Sequence, residues 1–322
     1  MTTTPVILWF RNDLRLTDHR ALRAAIDSGS SIIPVFVLDD EVAGQWRRCG
    51  ASRWWLANSL AALQADLSQH GNTLILRRGA TRHVLPEFVS ETGAKAIYFS
   101  RSYEPWAIAL EHDLKQTFDA AGVSVKRYGG ALLREPEDVR TKTGDVYKVY
   151  TPFWRALAAG YEPPPHIANP KQIPAAAKLP KSDTLSSWKL LPSKPDWSGG
   201  FSTEWMPGEA GAQAALKQFL GSALKTYTED RNRPDMQGTS RLSPHLHFGE
   251  ITPAHCWRAA CAYADGRAGH DKGLETFLKE IVWREFSYSL LVHWPDLPEQ
   301  PFRKDFAAFA WTKDQQHLKA WQ

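Results

Sequence analysis

Two stretches hold the side chains best suited to chemistry. The first runs from Tyr227 to Glu250 and contains Gly238, Thr239, Ser240, Arg241, Leu242 and Ser243 just ahead of Pro244. Small hydroxyls and freely approached backbone N–H groups, leading into a helix start, can hold a pyrophosphate without a cationic side chain. A capped turn between two helices would use the same residue types. The second stretch, 277–289, places Glu280, Trp283, Arg284 and Ser287 at i, i+3, i+4 and i+7, on one helical face. A carboxylate, an indole and a guanidinium beside Ile281, Val282, Phe286 and Leu290 fit a lined cavity. They equally fit an intrahelical Glu280–Arg284 pair on a solvated face. His245, His247, His255 and Cys256 match no common zinc spacing, and Pro244 and Pro253 interrupt them, so no metal site is expected. There is no GxSxG elbow, and Cys49 beside Arg47 and Arg48 has no evident histidine partner, so nucleophilic catalysis is not indicated.

The elements that position these stretches follow from periodicity. The first 133 residues alternate apolar strand patterns (6–10, 31–40, 72–79, 94–100 and 123–133) with helical ones, Thr17 or Asp18 capping the first helix and Ser52 the second. Five strands joined largely by helices predict a doubly wound parallel sheet. Residue types around the first strand carry no dinucleotide fingerprint, because RNDLRLTD follows it without a glycine, and no GxxxxGK[ST] loop occurs. Residues 161–197 contain eight prolines, which predicts an extended connector. From residue 209 onward the pattern is helical with no strand. The expected organisation is an α/β domain over 1–133, a proline-rich connector over 134–205 and an all-α domain over 206–322.

Composition sets broad bounds. The 322 residues are 43% hydrophobic, enough for packed cores, and no apolar run reaches membrane-spanning length. The opening MTTTPVILWFRNDLR reads as a strand rather than a signal peptide. Three cysteines without disulfide spacing fit a reducing cytoplasm. Net charge is +4; residues 1–133 hold 15 Lys and Arg against 13 Asp and Glu, residues 134–224 hold 11 against 9, and residues 225–322 hold 13 of each. Charge alone therefore does not mark a nucleic-acid face. Most of the 14 tryptophans are expected in cores, a few stacked on a flat cofactor or base.

Taken in order, WFRNDLRLTDHRAL (9–22), GASRWWLANSLAAL, VYKVYTPFWRA (146–156), GTSRLSPHLHFGE (238–250) and EIVWREF (280–286) resemble the photolyase/cryptochrome family over the whole chain. The resemblance implies an N-terminal α/β antenna domain carrying methenyltetrahydrofolate or a deazaflavin, followed by a helical FAD-binding domain. It implies light-driven electron transfer from reduced FAD to a pyrimidine dimer in UV-damaged DNA, by a monomeric cytoplasmic deoxyribodipyrimidine photo-lyase. Tyr227 and the loop Thr239, Ser240, Arg241, Leu242 and Ser243 are similar to FAD contacts, and Phe277 to an aromatic against FAD. Arg231 is similar to a DNA-backbone contact. Glu280 and Trp283 resemble the pair that meets the flipped-out dimer, with Glu280 and Arg284 also reaching the flavin. Glutamate at 280 resembles cyclobutane-dimer photolyases, whereas (6-4) photolyases and animal cryptochromes tend to carry glutamine. Trp311 resembles the outermost member of an electron relay, and Glu104 an antenna-cleft residue. Family members continue well beyond Gln322, which ends inside an apparent helix, so the helical domain is expected to be incomplete and the activity of these 322 residues weak or absent. A blue-light photoreceptor of cryptochrome type and a shortened, non-enzymatic antenna protein are the alternatives.

Overall fold

The computed structural model describes residues 4–310 and 312–322. Its first domain is built on β1 (Val6–Phe10), α1 (Arg20–Asp27), β2 (Ile32–Leu38), α2 (Gly50–Gln69), β3 (Ile75–Arg78), α3 (Thr81–Thr92), β4 (Ala96–Ser100), α4 (Pro105–Ala120) and β5 (Ser124–Tyr128). The strands pair in the order β3-β2-β1-β4-β5, all parallel, which is the doubly wound sheet expected from the sequence. Alternation along each strand divides the apolar residues between two cores. Val6, Leu8 and Phe10 pack under α1 and α2, while Ile7 and Trp9 pack under α3 and α4. β5 departs from the uniformly apolar expectation. As an edge strand it exposes Lys126 and Arg127, charges that block pairing with another chain.

Two helix starts differ from the residue types that signalled them. α1 is capped by His19, whose Nδ1 accepts from the Leu22 N–H at 3.1 Å, not by Thr17 or Asp18. The Asp18 carboxylate is engaged elsewhere. It accepts from the Ile167 N–H at 2.7 Å and the Arg258 guanidinium at 2.7 Å, and it meets His166 at 3.1 Å and His255 at 3.3 Å. α2 begins at Gly50 behind Cys49, ahead of the expected Ser52 cap.

The proline-rich stretch is not a free tether. The Ile32 N–H donates to the Pro174 carbonyl at 2.7 Å and the Ile173 N–H to the His70 carbonyl at 2.9 Å. Along the open edge of β3, Leu76 bonds to Ser182 and Asp183, both at 2.9 Å. Ile173 and Trp188 are buried in the first core. The connector thus covers a sheet edge that would otherwise expose unpaired backbone groups. Within the same range, α5 (Tyr150–Ala158) packs instead into the helical core through Phe153 and Leu157.

The helical part contains α6 (Phe201–Glu204), α7 (Glu209–Ser222), α8 (Tyr227–Asp230), α9 (Ser243–His247), α10 (Pro253–Ala264), α11 (Asp271–His293) and α12 (Gln315–Trp321). Its core joins Leu216 and Phe219 of α7, Trp257 of α10 and Phe277, Ile281 and Val282 of α11. It interlocks with the sheet domain through backbone groups. The Glu209 carboxylate accepts from Leu16 and Thr17 N–H at 2.7 and 3.1 Å, and Arg15 donates to the Gly249 carbonyl at 2.8 Å. Gly249 has φ +65°, and a Cβ there would collide with the Asn12 carbonyl and the Asp13 backbone. Only glycine allows both the left-handed turn and this close approach.

Candidate functional site

α11 crosses the helical domain as a 23-residue rod, and its exposed face closes one wall of a cavity of about 590 Å³. Facing it is the loop between α8 and α9. Gly238 lets that loop pass tightly against α8, since a Cβ there would strike the Asp230 backbone. Tyr227, Thr239, Ser240, Arg241, Leu242, Ser243, Phe277, Glu280 and Arg284 all line this single cavity, completed by Leu246, His247, Ile281 and Tyr288. Residues 50 positions apart in sequence are thereby brought to one site.

Tyr227 and Phe277 are buried and meet edge to face at 5.9 Å, so they build the floor while belonging to the core. Burial, reinforced by Glu280, raises the Tyr227 phenol above its ordinary range, which keeps it a neutral donor. Arg241 adopts φ +54°, lies over the Trp205 ring at 4.0 Å and donates to the Glu204 carbonyl at 3.1 Å. α9 has five residues and contributes little dipole. Any anion held here would rest mainly on loop N–H groups and hydroxyls.

The helical face of α11 does not form the intrahelical pair that its spacing allows. Glu280 pairs instead with Arg231 of the preceding loop. Arg284 turns inward, donating to the Ala131 carbonyl at 2.8 Å and approaching Glu285 at 3.4 Å. Arg231 thus lies at the rim, joined to Glu280. Trp283 is outside the cavity lining. It is 44% exposed and stacks face to face on Tyr150 at 3.6 Å, with 6° between the rings. The Tyr150 hydroxyl donates to the Lys279 carbonyl at 2.6 Å, which fixes the lower ring. Such a stacked pair is worth about 0.5–1.5 kcal/mol beyond its buried area. It presents a flat aromatic surface to solvent beside the cavity.

Glu104 is placed elsewhere, at the start of α4, in a second cleft of about 280 Å³. This cleft opens at the carboxyl ends of β1, β2 and β4, where Trp9, Phe10, Arg11, Asn12, Asp39 and Ser102 meet Trp46, Arg48 and Trp106. That is the switch point of the sheet, where strand order reverses and open α/β sheets bind ligands. Five strands in doubly wound order would have located it; the residue types alone did not. Arg11 lies 4.5 Å over the Trp9 ring and pairs with Glu111, and Arg48 is bonded to the Asn12 side chain. Trp311 lies outside the described residues.

The histidines and cysteine weighed as metal ligands are dispersed. His245 is bound to Glu250, and burial pushes the Cys256 thiol up to about 12, only weakly opposed by Arg284. His255 instead joins Asp18 and His166 as a geometric trio, but the Arg258 guanidinium already sits on the same carboxylate. Sequence reading did not single out Tyr150 or Tyr288 and weighed His247 only as a metal ligand, because their positions depend on partners far along the chain.

A doubly wound α/β domain interlocks with a helical domain, and each carries its own cleft. The family profile for DNA photolyase matches residues 6–172, and that for the FAD binding domain of DNA photolyase matches residues 277–322. The chain belongs to the photolyase/cryptochrome family. It is 46% identical over its whole length to a deoxyribodipyrimidine photo-lyase of Agrobacterium fabrum, of which it covers 66%. It is 32% identical to Cryptochrome-1 of Arabidopsis thaliana over 98% of this chain and 47% of that protein. A crystal structure of a bacterial class III photolyase from Agrobacterium tumefaciens superposes with a TM-score of 0.93 at 44% identity, covering all of this chain and 66% of the other. The chain thus spans about two thirds of the length of these photolyase relatives. Among the described residues, no helix is long and apolar enough to cross a membrane.

Proposed function

We propose that the helical cavity binds FAD and that the chain serves light-driven splitting of pyrimidine dimers in UV-damaged DNA. The observation that carries this reading is the convergence on one cavity of all nine residues singled out as cofactor contacts. The cavity is of cofactor size, and Leu242, Leu246, Phe277 and Ile281 line it together with hydroxyls, an imidazole and charged groups. In this reading the Thr239–Ser243 loop holds the pyrophosphate, Tyr227 and Phe277 bound the folded cofactor, and Arg284 fixes the flavin side. When bound and reduced, FAD supplies an electron on excitation and recovers it after the dimer splits.

The chain's own residues receive the lesion. Trp283 offers its exposed face for stacking, held in orientation by Tyr150. Glu280, at the cavity rim, accepts hydrogen bonds from a base turned inward, and Arg231 moves from Glu280 to a backbone phosphate. Extrahelical rotation costs less at a damaged base, which selects lesions over intact DNA. The switch-point cleft, with Glu104 and its aromatic walls, is the antenna site for methenyltetrahydrofolate or a deazaflavin. The units are an antenna domain over 1–133, a connector over 134–205 and a helical domain over 206–322. The protein works as a monomer in the cytoplasm, where its three free thiols stay reduced.

The test is binding of a single-stranded oligonucleotide with one thymine dimer against its undamaged twin. The expected result is at least about ten-fold preference for the lesion, lost in Trp283→Ala, since base–aromatic stacking is worth about 1–3 kcal/mol. Equal affinity for both strands sinks the reading. Illumination of the FAD-loaded complex then separates repair from photoreception, the alternative raised by the cryptochrome relatives. Loss of dimers marks a lyase, and persistent dimers leave the photoreceptor and the shortened, non-enzymatic protein as the readings.

A further inference from the structure

His247 stands where three cavities meet. Its side chain lines the switch-point cleft, the helical cavity and a small pocket of about 20 Å³ between them. Glu104 is shared by the first and the small pocket, and Arg284 and Tyr288 by the second and the small pocket. The two large clefts are therefore separated by a thin polar partition with an imidazole at its centre.

The two histidines of α9 contrast. His245 is buried and bonded to Glu250. The His247 ring is packed among protein on one side and open to the cavities on the other, rests edge-on against Phe248 at 4.8 Å, and makes no side-chain hydrogen bond to any described residue. Its surroundings hold it below the usual imidazole range. Burial by the surrounding chain is the main cause, Arg48 at the start of α2 and Arg284 of α11 add to it, and Glu104 at the start of α4 opposes. A neutral imidazole has one N–H donor and one lone-pair acceptor, pointing in different directions. Here each direction has a cleft to serve. The switch-point cleft, walled by Trp9, Phe36, Trp46 and Trp106 with Arg11 and Arg48 at hand, suits a planar conjugated heterocycle with an anionic tail.

We propose that His247 is a binding residue shared by both clefts, donating to the occupant of one and accepting from the occupant of the other, so that the two ligands bind cooperatively. This rests on the reading of the helical cavity as the FAD site and the switch-point cleft as the antenna site. The first ligand fixes the tautomer and the ring orientation, and the second then meets an ordered partner. Coupling of this kind is reciprocal: each ligand tightens the other by the same factor.

The experiment titrates FAD by flavin fluorescence, with and without saturating 5,10-methenyltetrahydrofolate, and repeats the titration in the reverse order. Wild type, His247→Ala and His247→Asn are compared, with thermal melts of the unliganded proteins as a folding control. In the wild type the FAD Kd is expected to fall about five-fold when the folate is present, and the folate Kd to fall equally when FAD is present. His247→Ala brings the factor to one with an unchanged unliganded melt, and His247→Asn, which keeps a donor and an acceptor, restores part of it. Binding of both ligands without coupling in the wild type overturns the role of His247, as does coupling that survives in His247→Ala. Uptake of FAD alone overturns the shared role and leaves the FAD site standing. Uptake of neither overturns the assignment of both clefts.

Discussion

Glu250→Ala is expected to destabilise the protein by about 3–5 kcal/mol, the cost typical of stripping one partner from a buried charged network. The carboxylate is fully buried and serves three segments. One oxygen accepts from the Trp55 indole at 2.9 Å and from the Gly208 N–H at 2.8 Å, and the other meets His245. Trp55 belongs to α2, Gly208 precedes α7 and His245 lies in α9, so Glu250 holds the sheet domain to the helical one. Alanine leaves the indole and the amide buried without acceptors, at about 1–3 kcal/mol each. Glu250→Gln keeps one acceptor oxygen and should lose clearly less. Urea denaturation followed by tryptophan fluorescence measures both variants. A loss below about 1 kcal/mol for alanine would remove Glu250 from this role.

Glu285→Gln is expected to act in the opposite direction, with an effect that grows from about pH 4.5 and is complete above about pH 7. Glu285 is buried on α11 and accepts from the Leu133 N–H at 2.7 Å. Burial pushes its carboxyl up to about 7, against the opposing pull of Arg284 and of the Leu133 and Arg134 amides. The ordinary value is 4.5, so folding raises the affinity for the proton. Below about pH 4.5 both states hold the proton and nothing is lost. As pH climbs towards 7 the folded state retains a proton that the unfolded state has released, and stability falls. Above pH 7 the penalty is complete, about 3 kcal/mol. Glutamine cannot ionise, yet its amide oxygen still accepts from Leu133. The variant should therefore be more stable than the wild type by about 3 kcal/mol at pH 8 and nearly equal at pH 4.5. Urea midpoints at the two pH values decide it, and a pH-independent difference would contradict the assignment.

The sheet was legible because its strands are short apolar runs separated by helical periods, and the family motifs pointed to residues that the fold brings to one cavity. What the sequence could not carry were partners chosen in three dimensions. Asp18 looks like a helix cap, but His255 and Arg258 of α10 claim its carboxylate. Glu280 and Arg284 look like an i, i+4 pair, but Arg231 and the Ala131 carbonyl lie closer to the best geometry for each. Tyr150 falls within the proline-rich connector range and is nonetheless the platform under Trp283. His247 was visible only as a possible metal ligand, because its position between two clefts exists only once both domains are assembled.

The central claim is that the cavity under α11 is an FAD site formed by the Thr239–Ser243 loop. The most direct test is the visible absorption spectrum of the purified protein titrated with FAD, repeated with Ser243→Asp, which sets a carboxylate where the pyrophosphate would lie. The account predicts uptake of one FAD per chain with a flavin band near its protein-bound shape, and loss of that uptake in Ser243→Asp without loss of folding. A wild-type protein that stays colourless in excess FAD, or a Ser243→Asp variant that binds as well as the wild type, would contradict it.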